Sequence, residues 1–339
     1  MTEWDAVSVQ DGIRIDLASG ETFVADARRP DADVVAVSHA HGDHLYSRAP
    51  DGVICSPLTA ALAAERRSGE GSVARTTHPS VELVSAGHIP GSRATIVEDE
   101  DGTTYCYTGD FSTRDRFLLD GLDPAAVAAA FDVDVLILET TYGKPQYVFD
   151  EQATLERRIL DWLDDVIDRP VLLFGYTLGR AQELELLVDR SDRERLFVTE
   201  PIERLNDVIE AHRDVDFGAR RYDADDVTLG AGDALVLPTG ANRGSLVPDV
   251  VERTGALTAG FTGWAHDRSY QYRTGYDETF VLSDHADFSE LTATVETIDP
   301  ERVYTNHGFA DEFAGYLDAE HDVAARSLER TQSHLGEFG

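Results

Sequence analysis

Apolar residues in the first 145 positions come in short runs broken by turn residues. Residues 34–37 and 133–138 are short, apolar and β-branched, which predicts buried strands. Residues 96–107 read as a hairpin turned at Asp101-Gly102. Strands and turns are therefore expected to dominate this part. After residue 150 the period changes. Leu155, Ile159, Leu163 and Ile167 fall four apart, the apolar stripe of a helix. An apolar run at 171–174 follows, then a helix opening near Arg180, a second run at 196–198 and a second helix near Ile202. Strand alternating with helix predicts a parallel α/β unit. Near Phe280 the pattern of the first part returns. The expected organisation is one domain, 1–148 with 276–339, interrupted by an inserted α/β domain at 149–275.

Composition narrows the class. With 339 residues, 42% of them hydrophobic, the chain can bury a sizeable core. It has no apolar run long enough to span a membrane and no basic-then-apolar leader. Cys55 and Cys106 are the only cysteines, too few for a disulfide framework. A cytoplasmic protein without a membrane partner is expected. Charge then complicates the picture, because 64 acidic residues face 29 basic ones and Lys144 is the only lysine. A net charge of −35 would ordinarily repel nucleic acid. In molar salt, however, the Debye length falls to about 3 Å and net charge loses its reach. The acidic residues are spread over the whole chain, which favours a halophilic origin. Local charge at the site then decides the substrate.

The sharpest local signal is HAHGDH, directly after the run at 34–37. His39, His41, Asp43 and His44 place three imidazoles and a carboxylate within six residues, a donor set that suits zinc. Alternation in a tight loop lets His39 and His41 face one metal while Asp43 and His44 face another.

Together with AGHIPGS (His88), YTGDFS (Asp110) and VYTNHGF (His307), this motif resembles the metallo-β-lactamase superfamily. The resemblance implies an αββα sandwich binding two Zn2+ ions. His39, His41 and His88 would hold one ion, Asp43, His44 and His307 the other, and Asp110 would lie between them. Asp26 matches an aspartate that supports the ligands from behind. The remaining histidines, His78, His212, His266, His321 and His334, match no motif. Two adjacent zinc ions activate water and neutralise charge on the group attacked. That explains hydrolysis without choosing among lactam, thioester, lactone and phosphodiester.

Three further segments make the choice. DVLILETTYG carries Glu139, VLSDHADF carries Asp284, His285 and Asp287 at what reads as another strand end, and FGYTLGRAQEL opens a helix at Gly179-Arg180. They are similar to signatures of the β-CASP nucleases, the branch with the cleavage and polyadenylation endonuclease, RNase J and Artemis. Phosphodiester hydrolysis needs a proton for the departing sugar oxygen. His285 beside a carboxylate such as Glu139 would supply it as general acid. A helix start after glycine offers backbone N–H groups to a phosphate. Gly179 and Arg180 are therefore expected to bind substrate, with Arg243 in TGANRGS as a further phosphate contact.

Glutamate at 139 and histidine at 307 are similar to the RNA-processing branch. Ligase-associated DNA exonucleases share both residues and a short overall length. The N-terminal KH domains of archaeal cleavage factors and the C-terminal domain of RNase J are both missing from the sequence. The reading favours single-stranded RNA, as in mRNA 3′-end processing, and leaves DNA, exonuclease against endonuclease, and homodimer formation open. A glyoxalase- or lactonase-type hydrolase would keep the zinc ligands without needing the insertion, and a non-catalytic homologue would have lost ligands.

Overall fold

The computed structural model describes residues 4, 6–67, 73–244, 246–267, 269–321 and 323–328, apart from the side chains of 242 and 243. The chain opens with strands β1 (Val7–Val9), β2 (Ile13–Asp16), β3 (Thr22–Ala25) and β4 (Val34–Ala36), then helix α1 (Pro57–Arg66). Strands β5 (Val81–Ser85), β6 (Arg93–Glu98) and β7 (Thr104–Tyr107), helix α2 (Pro124–Ala130) and strand β8 (Val135–Glu139) follow. Next come α3 (Gln152–Asp165), β9 (Val171–Gly175), α4 (Arg180–Asp189), β10 (Arg195–Val198), α5 (Glu200–Glu210) and β11 (Arg220–Arg221). This stretch continues with β12 (Asp233–Pro238), a 3-10 turn (Thr239–Arg243), α6 (Leu246–Thr254), β13 (Leu257–Phe261), α7 (Ser269–Thr274) and β14 (Glu278–Phe280). Last are α8 (Phe288–Ile298), β15 (Arg302–Asn306), α9 (Ala310–Glu320) and β16 (Ala324–Ser327). No helix among the described residues is long and apolar enough to cross a membrane.

Among the described residues, one unit takes the chain up to Val148 and again from His285, the other Phe149–Asp284. The return to the first unit falls at 285, later than the expected 276. The reason is β14, which pairs in parallel with β13 and extends the inserted sheet.

The first unit has four layers, built by alternation along its strands. Its sheets run β1-β2-β3-β4 and β16-β15-β8-β7-β6-β5. Val135 and Ile137 of β8, Tyr105 and Tyr107 of β7 and Val97 of β6 face Ile13, Ile15, Phe23 and Ala36 of the other sheet. The intervening residues Leu136, Leu138, Cys106 and Ile96 meet Val127 of α2, Leu291 and Val295 of α8 and Phe313 and Leu317 of α9. On the far side, Val35 and Val37 meet Ala63 of α1. The result is the αββα sandwich. The sequence pattern passed over α1 and α2. Both carry a start signal, Ser56-Pro57 and Asp123-Pro124, in which the first side chain accepts an orphan N–H and proline opens the helix.

The inserted unit is a parallel sheet in the order β11-β10-β12-β9-β13-β14. Leu155, Ile159 and Leu163 are buried along α3, whereas Ile167 of the expected stripe lies beyond the helix end. Between α4 and α5 runs a buried polar chain. Gln182 Nε2 donates to Asn206 Oδ1 at 2.8 Å, and Asn206 Nδ2 donates to Glu185 Oε2 at 2.6 Å. Burial pushes the Glu185 carboxyl up to about 8, despite the Asn206 hydrogen bond and with a smaller push from Glu210. An unfolded glutamate ionises near pH 4.3, so the folded state holds an extra proton between roughly there and 8. Stability contributed by this group is full below that window and falls by about 1.4 kcal/mol per pH unit as pH rises through it. The denaturation free energy of Glu185→Gln minus that of the native chain should therefore grow with pH in this window. A difference that stays constant with pH would show that Glu185 does not carry the proton.

Candidate metal centre and active site

Strand direction gathers the candidate residues of the first unit along one edge. β3 and β4 are parallel, and so are β7, β8 and β15. β5 reaches the same edge through two antiparallel pairings. Asp26 follows β3, His39 follows β4, His88 follows β5, Asp110 follows β7, Glu139 ends β8 and His307 follows β15. Asp26 and His307 hold left-handed backbone at φ 55° and 59°, uncommon for residues with a side chain. Gly308 continues the turn after His307 at φ 57°, where a Cβ would lie 2.4 Å from the Thr140 carbonyl oxygen.

His39 Nε2 and His88 Nε2 lie 3.2 and 3.1 Å from His41 Nδ1. Ligands bound tetrahedrally at about 2.0–2.1 Å are separated by about 3.3 Å, so this spacing fits one ion among three imidazoles. Asp110 Oδ2 joins them at 3.6 Å from His39 and 3.7 Å from His88. The same oxygen lies 3.4 Å from His44 Nε2, which is 3.7 Å from Asp43 Oδ2. The rings of His44 and His307 are 5.8 Å apart, so this second group is more open than the first. Asp110 stands between the two groups.

Charge in the cluster is arranged for a cation. Burial, followed by the neighbouring His44 and His88, holds His39 well below the usual imidazole range, which leaves it neutral as a ligand must be. Burial also pushes the Asp110 carboxyl up, although His44 and His285 pull it down. An enclosed anion that is costly without a cation, beside the neutral His39 imidazole, is the donor chemistry of a metal centre. His44 resists its own burial and rises to about 10, because Asp110 and Asp26 both face it.

Asp26 supports the ligands from behind. Its Oδ2 takes His44 Nδ1 at 2.9 Å, Tyr107 Oη at 2.8 Å and Ser38 Oγ at 2.6 Å. Ser38 Oγ in turn lies 2.9 Å from His39 Nδ1. One carboxylate thus fixes His44 directly and His39 through a hydroxyl, setting which ring nitrogen of each points inward.

His285 does not sit at the end of a buried strand as expected. β14 ends at Phe280, and His285 comes from the segment leading into α8, whose first turn is closed reciprocally by Asp287 and Glu290. His285 Nδ1 lies 2.8 Å from Glu139 Oε1, and its ring centroid is 4.6 Å from that of His88. Burial pushes Glu139 up, but the His285 imidazole and hydrogen bonds from Thr141 outweigh that and hold its carboxyl low. A carboxylate in contact with imidazole favours the protonated ring, the form a general acid needs.

Gly179 and Arg180 do not form an open phosphate cradle. The Gly179 N–H donates to Gln182 Oε1 at 2.7 Å. Arg180 is 1% exposed and pairs with Glu183, and with Asp284 at 3.2 Å. A buried guanidinium needs carboxylates around it, so its charge is spent inside the inserted unit. The side chain of Arg243 lies outside the described residues, as does His334. His78, His212, His266 and His321 take other partners, respectively Glu21, the Val208 carbonyl, Phe149 and Glu296. The sequence reading missed Ser38, Tyr107, Arg114 and Arg116. Only the two arginines gave a signal, as a cationic pair directly after Asp110 in an acidic chain.

No protein-family model matches the chain. It is 33% identical over 318 residues to a probable DNA ligase of Opitutus terrae, covering 88% of this chain and 29% of that protein. It is 33% identical over 112 residues to a probable RNase of Methanocaldococcus jannaschii, covering 32% of this chain and 25% of the relative. Subunit 3 of the cleavage and polyadenylation specificity factor of Dictyostelium discoideum is 37% identical over 112 residues, covering 32% and 13%. These similarities agree with the resemblance to the β-CASP branch of the metallo-β-lactamase superfamily that the motifs carry. It spans less than a third of the length of each of these three relatives. A crystal structure of a protein of unknown function from Enterococcus faecalis V583 shares this fold, with a TM-score of 0.58. It is 14% identical, and the match covers 93% of this chain and 83% of that one.

Proposed function

We propose that this chain is a metal-dependent phosphodiesterase that cuts single-stranded nucleic acid, with RNA favoured over DNA. The observation that carries the reading is the His285–Glu139 pair beside Asp110, where a carboxylate oxygen of each acid and a ring nitrogen of His285 lie within 4.8 Å of one another. A proton donor against the metal ligands is what a poor leaving group such as a sugar alkoxide requires.

His39, His41 and His88 would hold one Zn2+, Asp43, His44 and His307 a second, and Asp110 both. When bound, the ions supply Lewis acidity toward the phosphoryl oxygens and make water acidic enough to act as nucleophile near neutral pH. The chain does the rest. Asp26 keeps His44 and, through Ser38, His39 aimed inward. Glu139 holds His285 at Nδ1 and favours its charged form, so that Nε2 delivers the proton to the departing oxygen. Arg243 serves as a phosphate contact in the inserted unit. The enzyme is placed in a cytoplasm of high salt, and a homodimer is the assembly to test.

Protonation of the 3′-oxygen as it leaves predicts products with 5′-phosphate and 3′-hydroxyl ends. End-group analysis of cleaved, end-labelled RNA and DNA in high KCl tests this, and also decides which strand is preferred. Products ending in 2′,3′-cyclic phosphate would overturn the mechanism. Turnover of a thioester or lactone at rates matching nucleic acid would overturn the substrate class.

A further inference from the structure

The segment after Asp110 joins three loops that the sequence scatters. Its two arginines reach in different directions. Arg116 is 2% exposed and sends Nη2 to the carbonyl oxygens of Gly87 and, at 2.9 Å, His88. The backbone reinforces that contact. The Ser112 N–H donates to the Ala86 carbonyl at 2.9 Å, and a Cβ on Gly87 would lie 2.3 Å from the Ser112 carbonyl oxygen. The loop carrying His88 thus rests directly on residues 112–116.

Arg114 reaches to the segment carrying His285. Its Nη2 donates to Asp287 Oδ2 at 2.7 Å and its Nε to Glu290 Oε2 at 2.9 Å. Glu290 Oε1 also accepts from the Thr113 N–H at 3.1 Å and from Thr113 Oγ1 at 2.6 Å. The Ala286 N–H, next to His285, donates to the Phe111 carbonyl at 2.7 Å. Asp287 is fully buried, and the side chains of Arg114 and Glu290 are only 16% and 10% exposed. Salt screens such a partly buried pair less than a surface ion pair.

We infer that Arg114 and Arg116 are separate positioning residues: Arg116 sets the place of His88 against Asp110, and Arg114 sets the place of His285. Neither is a ligand or a proton donor. The first acts on metal retention through two backbone carbonyls, the second on proton delivery through the start of α8. The inference rests on the phosphodiesterase reading for Arg114, whereas the Arg116 arm is tested by metal binding alone.

The experiment measures Zn2+ affinity by competition with a chromophoric chelator, together with kcat and KM on single-stranded RNA and on bis(p-nitrophenyl) phosphate. The p-nitrophenolate of the second substrate leaves without a proton. Arg114→Gln is expected to keep Zn2+ affinity, leave KM for RNA unchanged and lower kcat on RNA by about 10–100-fold. It should have little effect on the nitrophenyl ester. Glu290→Gln, which weakens the same clamp from its other end, should reproduce that split. Arg116→Lys, which keeps one donor in place of a fork, is expected to weaken Zn2+ binding by about 10–100-fold. It should slow both substrates together at subsaturating metal, with activity restored by added Zn2+. Equal losses on both substrates in Arg114→Gln and Glu290→Gln, or unchanged affinity in Arg116→Lys, would overturn the inference. A native chain that binds Zn2+ but cleaves neither substrate would defeat the phosphodiesterase reading and leave the Arg116 arm decided by its metal affinity.

Discussion

Asp110→Ala protein is expected to lose both metal and cleavage. The Asp110 carboxylate meets His39, His44 and His88 at 3.6, 3.4 and 3.7 Å, so it serves both groups of ligands at once. Without it, five imidazoles and Asp43 remain with no anion shared between the two groups, and two cations held close together would repel each other with nothing between them to screen them. Changes to partners behind the ligands cost about 10–100-fold in metal affinity, and removal of a shared ligand should exceed that. Zinc content after gel filtration and cleavage of end-labelled strands in high KCl measure the two losses separately. Full zinc occupancy with unimpaired cleavage would remove Asp110 from the centre and the two-metal reading with it.

The second large effect is expected at His285. A correctly placed general acid contributes about 10²–10⁴-fold, so His285→Ala should lower kcat on RNA by that factor, or about 3–5 kcal/mol of barrier. Its Nδ1 is taken up by Glu139 at 2.8 Å, which leaves Nε2 to carry the proton, and on the general-acid reading that nitrogen holds no metal. The variant should therefore keep the metal content of the native chain. Loss of metal would reassign His285 as a ligand. Loss of rate on the nitrophenyl ester as large as on RNA would show that the imidazole does something other than protonate the leaving oxygen.

Parts of the molecule were legible because they depend on residues close in sequence. The short continuous apolar run within 133–138 predicts a buried strand, and β8 does send Val135 and Ile137 to one core and Leu136 and Leu138 to the other. The four-apart stripe holds through Leu163 and fails at Ile167, since period alone does not say where a helix stops. The sequence pattern puts the point of return at 276 because a strand follows it. Only pairing shows that β14 belongs to β13 of the insertion.

What the sequence determined by itself is the set of donors: imidazoles and carboxylates in short motifs whose chemistry is the same wherever they sit. Tertiary structure decided which of them share an oxygen, which face water and which are supported from behind. Arg180 shows the difference. Its place at a helix start was readable, yet whether it meets a phosphate or two carboxylates depends on burial, and burial is set by packing between distant segments. Arg114 and Arg116 show it in the other direction. They stand beside a conspicuous aspartate, but their partners lie 173 and 176 residues downstream and 28 and 29 residues upstream. Local periodicity carries no information about such pairings. They exist because buried guanidinium groups must find acceptors, and the fold brings the loops of His88 and His285 within their reach.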